Sequence, residues 1–297
     1  MLKSIGVMGN MNKVELPEIC EQIIKWARSK HITPILDPDL YNHLKLKIPD
    51  LKAEKGDVRS SSIICLLGGD GFMLHSSHRL YPCKVPVLPV NLGSLGFNTQ
   101  AEPEEIIEAL ENIYERGAII SERFLLRVAS SSSKSKHEPA IALNEALLIK
   151  DTRSRMINVE ISVDDHVLGD IPCDGFLVST PTGSTAYNLS AAGPLVFPSL
   201  PTMIATPICP HTIAARSIIL PSTSSVKLKL ITWKDREDAF MCTDGQIWWE
   251  LFPGDEVIIS RAPDPLLIAE AHPERYFSKL RKQFFWGVSP ARNTEDQ

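Results

Sequence analysis

Little in this chain favours a membrane, a nucleic acid or an oxidising compartment. No segment approaches the ~18 uninterrupted apolar residues of a membrane-spanning helix, so no membrane partner is expected. Basic residues are outnumbered, with 31 Lys and Arg against 36 Asp and Glu. The formal net charge of -5 leaves no electrostatic footprint for nucleic acid or an anionic lipid surface. The six cysteines (Cys20, Cys65, Cys83, Cys173, Cys209 and Cys242) are scattered and form no C-x-x-C pair. That spacing argues against a zinc site and for reduced thiols in the cytoplasm. The stretch Met1 to Gly9 is too short an apolar run for a secretory signal, which again points to a cytoplasmic location.

What is present suits a globular protein with a substantial core. The 297 residues are 43% hydrophobic and 23% charged, enough for about two domains of ordinary size. The most informative segment is the apolar run Ser62 to Leu67 followed by Gly68-Gly69-Asp70-Gly71. Such a run reads as a strand buried on both faces of a parallel sheet, and ligands of open α/β sheets bind at the carboxyl ends of those strands. The glycines Gly68, Gly69 and Gly71 let backbone N–H groups approach a phosphate. Asp70 adds a carboxylate able to take a proton from a hydroxyl. A phosphate cradle beside a base suggests phosphoryl transfer to an alcohol, although the same four residues also suit an ordinary tight turn.

Strand and helix signals alternate through the first part: strands at Ser4 to Met8, Thr33 to Leu36, Ile63 to Leu67 and Val85 to Val90, helices at Leu16 to Arg28, after Gly71, and at Pro103 to Arg116. Beyond Ser121 the chain turns to closely spaced strands with turn punctuation, such as the alternating Met156 to Val163 before Asp164-Asp165. The fold expected is an α/β N-terminal domain with an open parallel, Rossmann-like sheet, then a mainly antiparallel β domain and a C-terminal helical tail. The divisions fall at 1–122, 123–270 and 271–297, with the aromatic helix Pro273 to Trp286 packing back on the first domain.

Three further blocks carry chemistry. In Pro89 to Thr99, Phe97 offers a flat face to a heterocyclic base and Asn98 stands beside it. Leu143-Asn144-Glu145 breaks the alternation of the strand Ile141 to Lys150: Asn144 can read an amide and Glu145 a ribose diol, and a plain polar strand edge fits equally. The longest block, Cys173 to Gly193, runs from a strand into the hydroxyl-rich Thr180-Pro181-Thr182-Gly183-Ser184-Thr185 and an expected helix capped at Ser184 or Thr185. Its small residues leave room for a ligand, and Tyr187 can stack on a base.

In this order and spacing, the four blocks resemble the NAD kinase family, which phosphorylates the 2′-hydroxyl of the adenosine ribose of NAD to make NADP. The resemblance extends over nearly the whole chain, including Ile208-Cys209-Pro210-His211, Arg216 and the Asp244-Gly245-Gln246 turn. It implies Asp70 as catalytic base with Gly71 beside it, and Asn144, Glu145 and Asp174 as NAD contacts. Thr185, Ala186, Tyr187, Asn188 and Ser190 would line the adenosine pocket, walled by Phe97 and Asn98, with Gln246 a further contact. His75 and Arg155 stand as candidate basic groups. Phe72 and Pro172 depart from the family pattern, which more often has a small polar residue and an Arg there. The resemblance further implies ATP as donor, Mg²⁺ as divalent cation without a dedicated ligand cluster, and a homodimer or homotetramer. A kinase of another alcohol, lipid or sugar, and a non-catalytic dinucleotide sensor are the alternatives.

Overall fold

A computed structural model describes residues 2–93, 96–131, 137–152, 156–231, 239–271 and 275–284. Two compact units emerge, one of Met1–Met73, Val85–Ile120 and Ile268–Gln297, the other of Leu74–Lys84 and Ser121–Leu267.

The first unit's elements begin with β1 (Ser4–Gly9), α1 (Leu16–Ser29), β2 (Thr33–Leu36), α2 (Pro38–Lys45), β3 (Glu54–Lys55) and β4 (Ile63–Gly68). Then come α3 (Asp70–Leu80), whose residues divide between the units, β5 (Val87–Asn91), α4 (Ile106–Arg116) and β6 (Ile119–Arg123). A seven-stranded sheet has the order β3-β2-β1-β4-β5-(Leu266–Glu270)-β6. Pairing is parallel from β3 through to Leu266–Glu270. The apolar run predicts β4 well: all six of its residues are buried. In α1 the buried Ile19, Cys20, Ile23, Ile24 and Ala27 form one stripe that joins the core of β1 and β4. The unanticipated α2 starts on an Asp37 cap, whose carboxylate accepts from the Asp39 amide at 3.2 Å, with Pro38 in the first turn. Only Leu40 and Leu44 are buried in it, too few apolar positions to show a period.

The second unit continues with β7 (Leu126–Ser130), β8 (Ala140–Ala142), β9 (Glu145–Lys150), β10 (Ile157–Val163), β11 (His166–Cys173) and β12 (Gly175–Ser179). After the single turn α5 (Tyr187–Ser190) come β13 (Thr202–Ile208), β14 (Ile218–Pro221), β15 (Val226–Ile231), β16 (Ala239–Thr243), β17 (Ile247–Leu251) and β18 (Glu256–Arg261). The strand Leu266–Glu270 is β19, and α6 (Arg275–Phe284) follows. Two six-stranded sheets form, β11-β10-β15-β18-β7-β8 and β14-β13-β12-β9-β16-β17, antiparallel in every pair described. One hydrophobic cluster takes Val128, Val159, Ile161 and Leu228 from the first sheet, with Leu148, Phe176 and Met241 from the second. The expected antiparallel β architecture is therefore present, with its core between two sheets.

The strand expected over Ile141 to Lys150 is two strands. It breaks at Leu143-Asn144, where the chain leaves one sheet and enters the other. The helix expected after Thr180 is shorter than its sequence pattern suggests: a 3₁₀ turn over Thr182–Thr185, then the four residues of α5.

Candidate active site

In the first unit the glycine segment is tighter than a loop. Gly68 ends β4, Asp70 begins α3, and only Gly69 lies between them. The amides of Phe72 and Met73 both donate to the Gly69 carbonyl, at 3.0 and 3.1 Å. The amides of Asp70 and Gly71 sit in the first turn, outside the helix's own hydrogen-bond ladder. A Cβ added at Gly69 or Gly71 would meet nothing within 4 Å, so backbone there faces open space. Gly68, the third glycine expected at the phosphate, lies differently. Its place is inside the sheet, and a Cβ there would lie 2.6 Å from Cβ of Phe72, so it is a packing glycine.

Asp70 is half-buried, and the 96–98 turn grips its carboxylate. The Phe97 amide donates to Oδ2 at 3.0 Å and the Asn98 amide to Oδ1 at 3.2 Å. Gly96 is obligatory for that approach, because a Cβ there would come within 2.8 Å of Asp70 Cγ. The turn is held in its own right from α6: Lys279 Nζ donates to the carbonyls of Phe97 and Thr99. The sequence leads one to expect that Phe97 offers a flat face to a base. One face of the ring stacks on Phe284 of α6, with centroids 5.1 Å apart and planes 18° from parallel. Aromatic residues at helical spacing in the tail are the only sequence signal for this contact.

In the second unit Asn144 and Glu145 occupy the corner between β8 and β9. Asn144 Oδ1 and Glu145 Oε2 are buried and have no hydrogen-bond partner among the described residues. Orphaned buried polar atoms are costly, and here two fall on adjacent residues. Burial, then the nearby Asp244 carboxylate, pushes the Glu145 carboxyl up to about 8. This raised value has a consequence for stability. Between its ordinary value of 4.5 and about 8, the folded protein keeps a proton on Glu145 that the unfolded chain releases. Stability contributed by the neutral acid is complete below 4.5 and is lost as pH rises towards 8. Ligand-free protein should therefore lose Tm across that interval. Glu145→Gln should flatten the slope, which thermal melts at several pH values would measure; an unchanged slope would remove the assignment.

The third block packs beneath that corner. The Thr180 amide donates to the Asn144 carbonyl at 2.8 Å, Thr180 Oγ1 to the Leu143 carbonyl at 2.6 Å, and Ser179 Oγ to the Asn144 carbonyl at 3.1 Å. Ser184, expected as a helix cap, is fully buried and donates to the Val196 carbonyl at 3.1 Å. Asn188, expected on the pocket wall, is also fully buried: its Nδ2 donates to the Pro194 carbonyl and its Oδ1 accepts from Thr206 Oγ1. Both ends of its amide hold the block together. Thr185 and Ala186 are half-buried and Ser190 is exposed. Tyr187 and Ser190 border a cavity of about 470 Å³ together with Ile208, Cys209 and Arg216.

The remaining candidates are placed as follows. Asp174 is paired with Lys150, Oδ1 to Nζ 2.7 Å. Gln246 is exposed in the β16–β17 turn, and His75 is exposed on α3. Arg155 lies outside the described residues. All six cysteines are free thiols, and Cys209 alone is exposed. Among the described residues no cluster of three or more His, Cys, Asp or Glu could hold a metal, and no helix is long and apolar enough to cross a membrane. Sequence reasoning takes Asp244 only as a turn residue; the structure gives it a larger part.

An acid stands at the carboxyl end of a parallel strand in the first unit, where ligands of open α/β sheets bind, and the second unit holds an unsatisfied amide and carboxyl. Comparison with known proteins identifies the class. Residues 5–119 match the ATP-NAD kinase N-terminal domain and residues 143–271 the ATP-NAD kinase C-terminal domain. The NAD kinase of Geotalea daltonii is 32% identical over 96% of this chain and 99% of its own length. That of Moorella thermoacetica is 32% identical over 97% and 91%. In fold the chain is similar to yeast NADH kinase complexed with NADH, with a TM-score of 0.87, 22% identity, and coverage of 97% of this chain and 89% of that one. It is also similar to an NAD kinase from Archaeoglobus fulgidus in complex with ATP, with a TM-score of 0.72, 24% identity, and coverage of 94% and 98%. The chain belongs to the NAD kinase family and is an enzyme of that class.

Proposed function

We propose that Asp70 is the general base that accepts the 2′-hydroxyl proton of the adenosine ribose of NAD as that oxygen attacks the terminal phosphorus of ATP. The bond between that phosphorus and the bridging oxygen of ADP breaks as the new one forms, and NADP and ADP leave. The observation that carries this reading is the Asp70 carboxylate itself. Two backbone amides orient it, and its remaining lone pairs stay accessible at the start of α3. The open backbone at Gly69 and Gly71 supports a phosphate seat there. Phosphoryl transfer depends mainly on positioning and on neutralising phosphate charge, so a single well-held acid suffices on the protein side.

Asn144 and Glu145 are the NAD-binding pair in this reading, because their unpartnered Oδ1 and Oε2 await donors. The ribose diol and the carboxamide of NAD supply such donors. Thr185, Ala186, Tyr187, Ser190, Asp174 and Gln246 are assigned to the same substrate on the strength of the resemblance, with less support from their own geometry. Residues 1–122 and 123–270 are taken as the two working domains, with 271–297 serving the first.

Mg²⁺ is assigned to the phosphates of ATP. Such an ion usually keeps several waters and takes one or two carboxylates besides the phosphates, and Asp70 is the carboxylate that the glycine segment offers it. When bound, it offsets charge on the transferring phosphoryl group. A homodimer or homotetramer follows from the family resemblance, and a solution mass measurement decides it.

A lipid or sugar kinase would be expected to lack the orphaned amide and carboxyl of the β unit, and a non-catalytic sensor to lack the acid at position 70. Purified protein incubated with NAD, ATP and Mg²⁺ should form NADP in step with ADP. ADP release with no NADP, or no turnover at all, would overturn the reading.

A further inference from the structure

We propose that Asp244 is the positioning residue of the NAD-binding corner: its buried carboxylate sets the backbone from which Asn144 and Glu145 project. This rests on the reading above, in which those two side chains hold NAD. The chain changes sheets between Ala142 and Glu145, and three successive amides must find partners in the bend. Asp244 takes all of them. Its Oδ2 accepts from the Leu143 amide at 2.7 Å, and its Oδ1 from the amides of Asn144 at 2.8 Å and Glu145 at 3.0 Å. The Asp244 amide returns a bond to the Glu145 carbonyl at 3.1 Å. His78 Nε2 of α3 lies 3.1 Å from Oδ2.

Asp244 suits this place by conformation as well as by charge. The β16–β17 hairpin turns through Asp244 and Gly245 with φ of +50° and +68°, the left-handed pair of a tight hairpin. Aspartate tolerates that conformation, and a longer acid does so less readily. The Asp244 side chain is 0% exposed. A buried carboxylate is expensive unless donors surround it, and an apolar turn would close the hairpin at less cost. What the acid achieves is a fixed corner whose two outgoing heads, Asn144 Oδ1 and Glu145 Oε2, remain unsatisfied among the described residues.

Asp244→Asn keeps the size and the left-handed preference but replaces one acceptor oxygen with a donor, so an amide of the bend loses its partner. In the full-length enzyme, the KM for NAD should rise roughly 10–100-fold, as for misplacement of a binding group, while the KM for ATP stays unchanged. In an Asn144→Ala, Glu145→Ala background the heads are gone, and Asp244→Asn should then change the NAD KM by less than about twofold. A wild-type NAD KM in the single variant, a parallel rise in both KM values, or full additivity in the triple variant overturns the proposal. If Asn144→Ala, Glu145→Ala itself leaves the NAD KM unchanged, the reading of the site fails, and the proposal with it. Should Asp244→Asn not fold, His78→Ala replaces it: a selective rise in NAD KM, reversed by His78→Gln, supports the proposal, and unaltered KM values overturn it.

Discussion

Asp70→Asn is expected to lower turnover at least about 100-fold and to leave NAD binding largely intact. General-base help is worth roughly 10²–10⁴-fold, and an amide of the same shape cannot take the proton. The substitution also brings an NH₂ group against one of the two amides that now donate to Asp70, from Phe97 and Asn98. Losing one such bond to a carboxylate costs roughly 1.5–3 kcal/mol of the folded turn's stability, so size alone does not separate it from the lost base. The two effects separate experimentally. A displaced turn shifts the affinity for NAD, read by calorimetry, whereas a missing base shifts kcat alone. Turnover near that of the parent enzyme would remove Asp70 from the role.

The second large effect concerns stability. A Cβ at Gly183 would run into the carbonyl oxygen of Asn144 and lie 2.6 Å from Ser179 Oγ. The first of these is backbone at the sheet-to-sheet corner and cannot swing aside. Gly183→Ala should therefore cost about 1–3 kcal/mol or more, as overpacking does. That corresponds to a fall in Tm of several degrees, at roughly 2–4 °C per kcal/mol. It should also weaken NAD binding, because the block would be pushed off the residues it supports. Gly69→Ala is the matched control, since nothing lies within 4 Å of its added Cβ and its Tm should stay close to that of the parent. Equal melting temperatures for the two variants would contradict the packing described.

The sequence is most legible where one residue pattern has one physical outcome. The unbroken apolar run before Gly68 could only be a doubly buried strand, and β4 is that strand. The stripe in α1 and the alternation in β10 are legible for the same reason. The break at Leu143-Asn144 is visible as a polar interruption, but not its meaning, because a change of sheet depends on partners far along the chain. Asp244 is about a hundred residues from the bend it holds, so nothing local distinguishes it from any Asp-Gly turn. Ser184, expected as a cap and found in the core, misleads for a related reason. Small and polar residues serve tight packing and ligand access equally well, and only burial tells them apart. The assignment of the family, by contrast, draws on the order and spacing of all four blocks and does not need any one of them to be read correctly.

The stack between Phe97 and Phe284 closes one face of the Phe97 ring to any incoming guest. A chain cut before Arg275 would bare that face and free the neighbouring turn from its lysine tether, so a stray planar molecule could settle on the wrong side. The last helix thus acts as a blind behind the ring, narrowing which direction a base can arrive from.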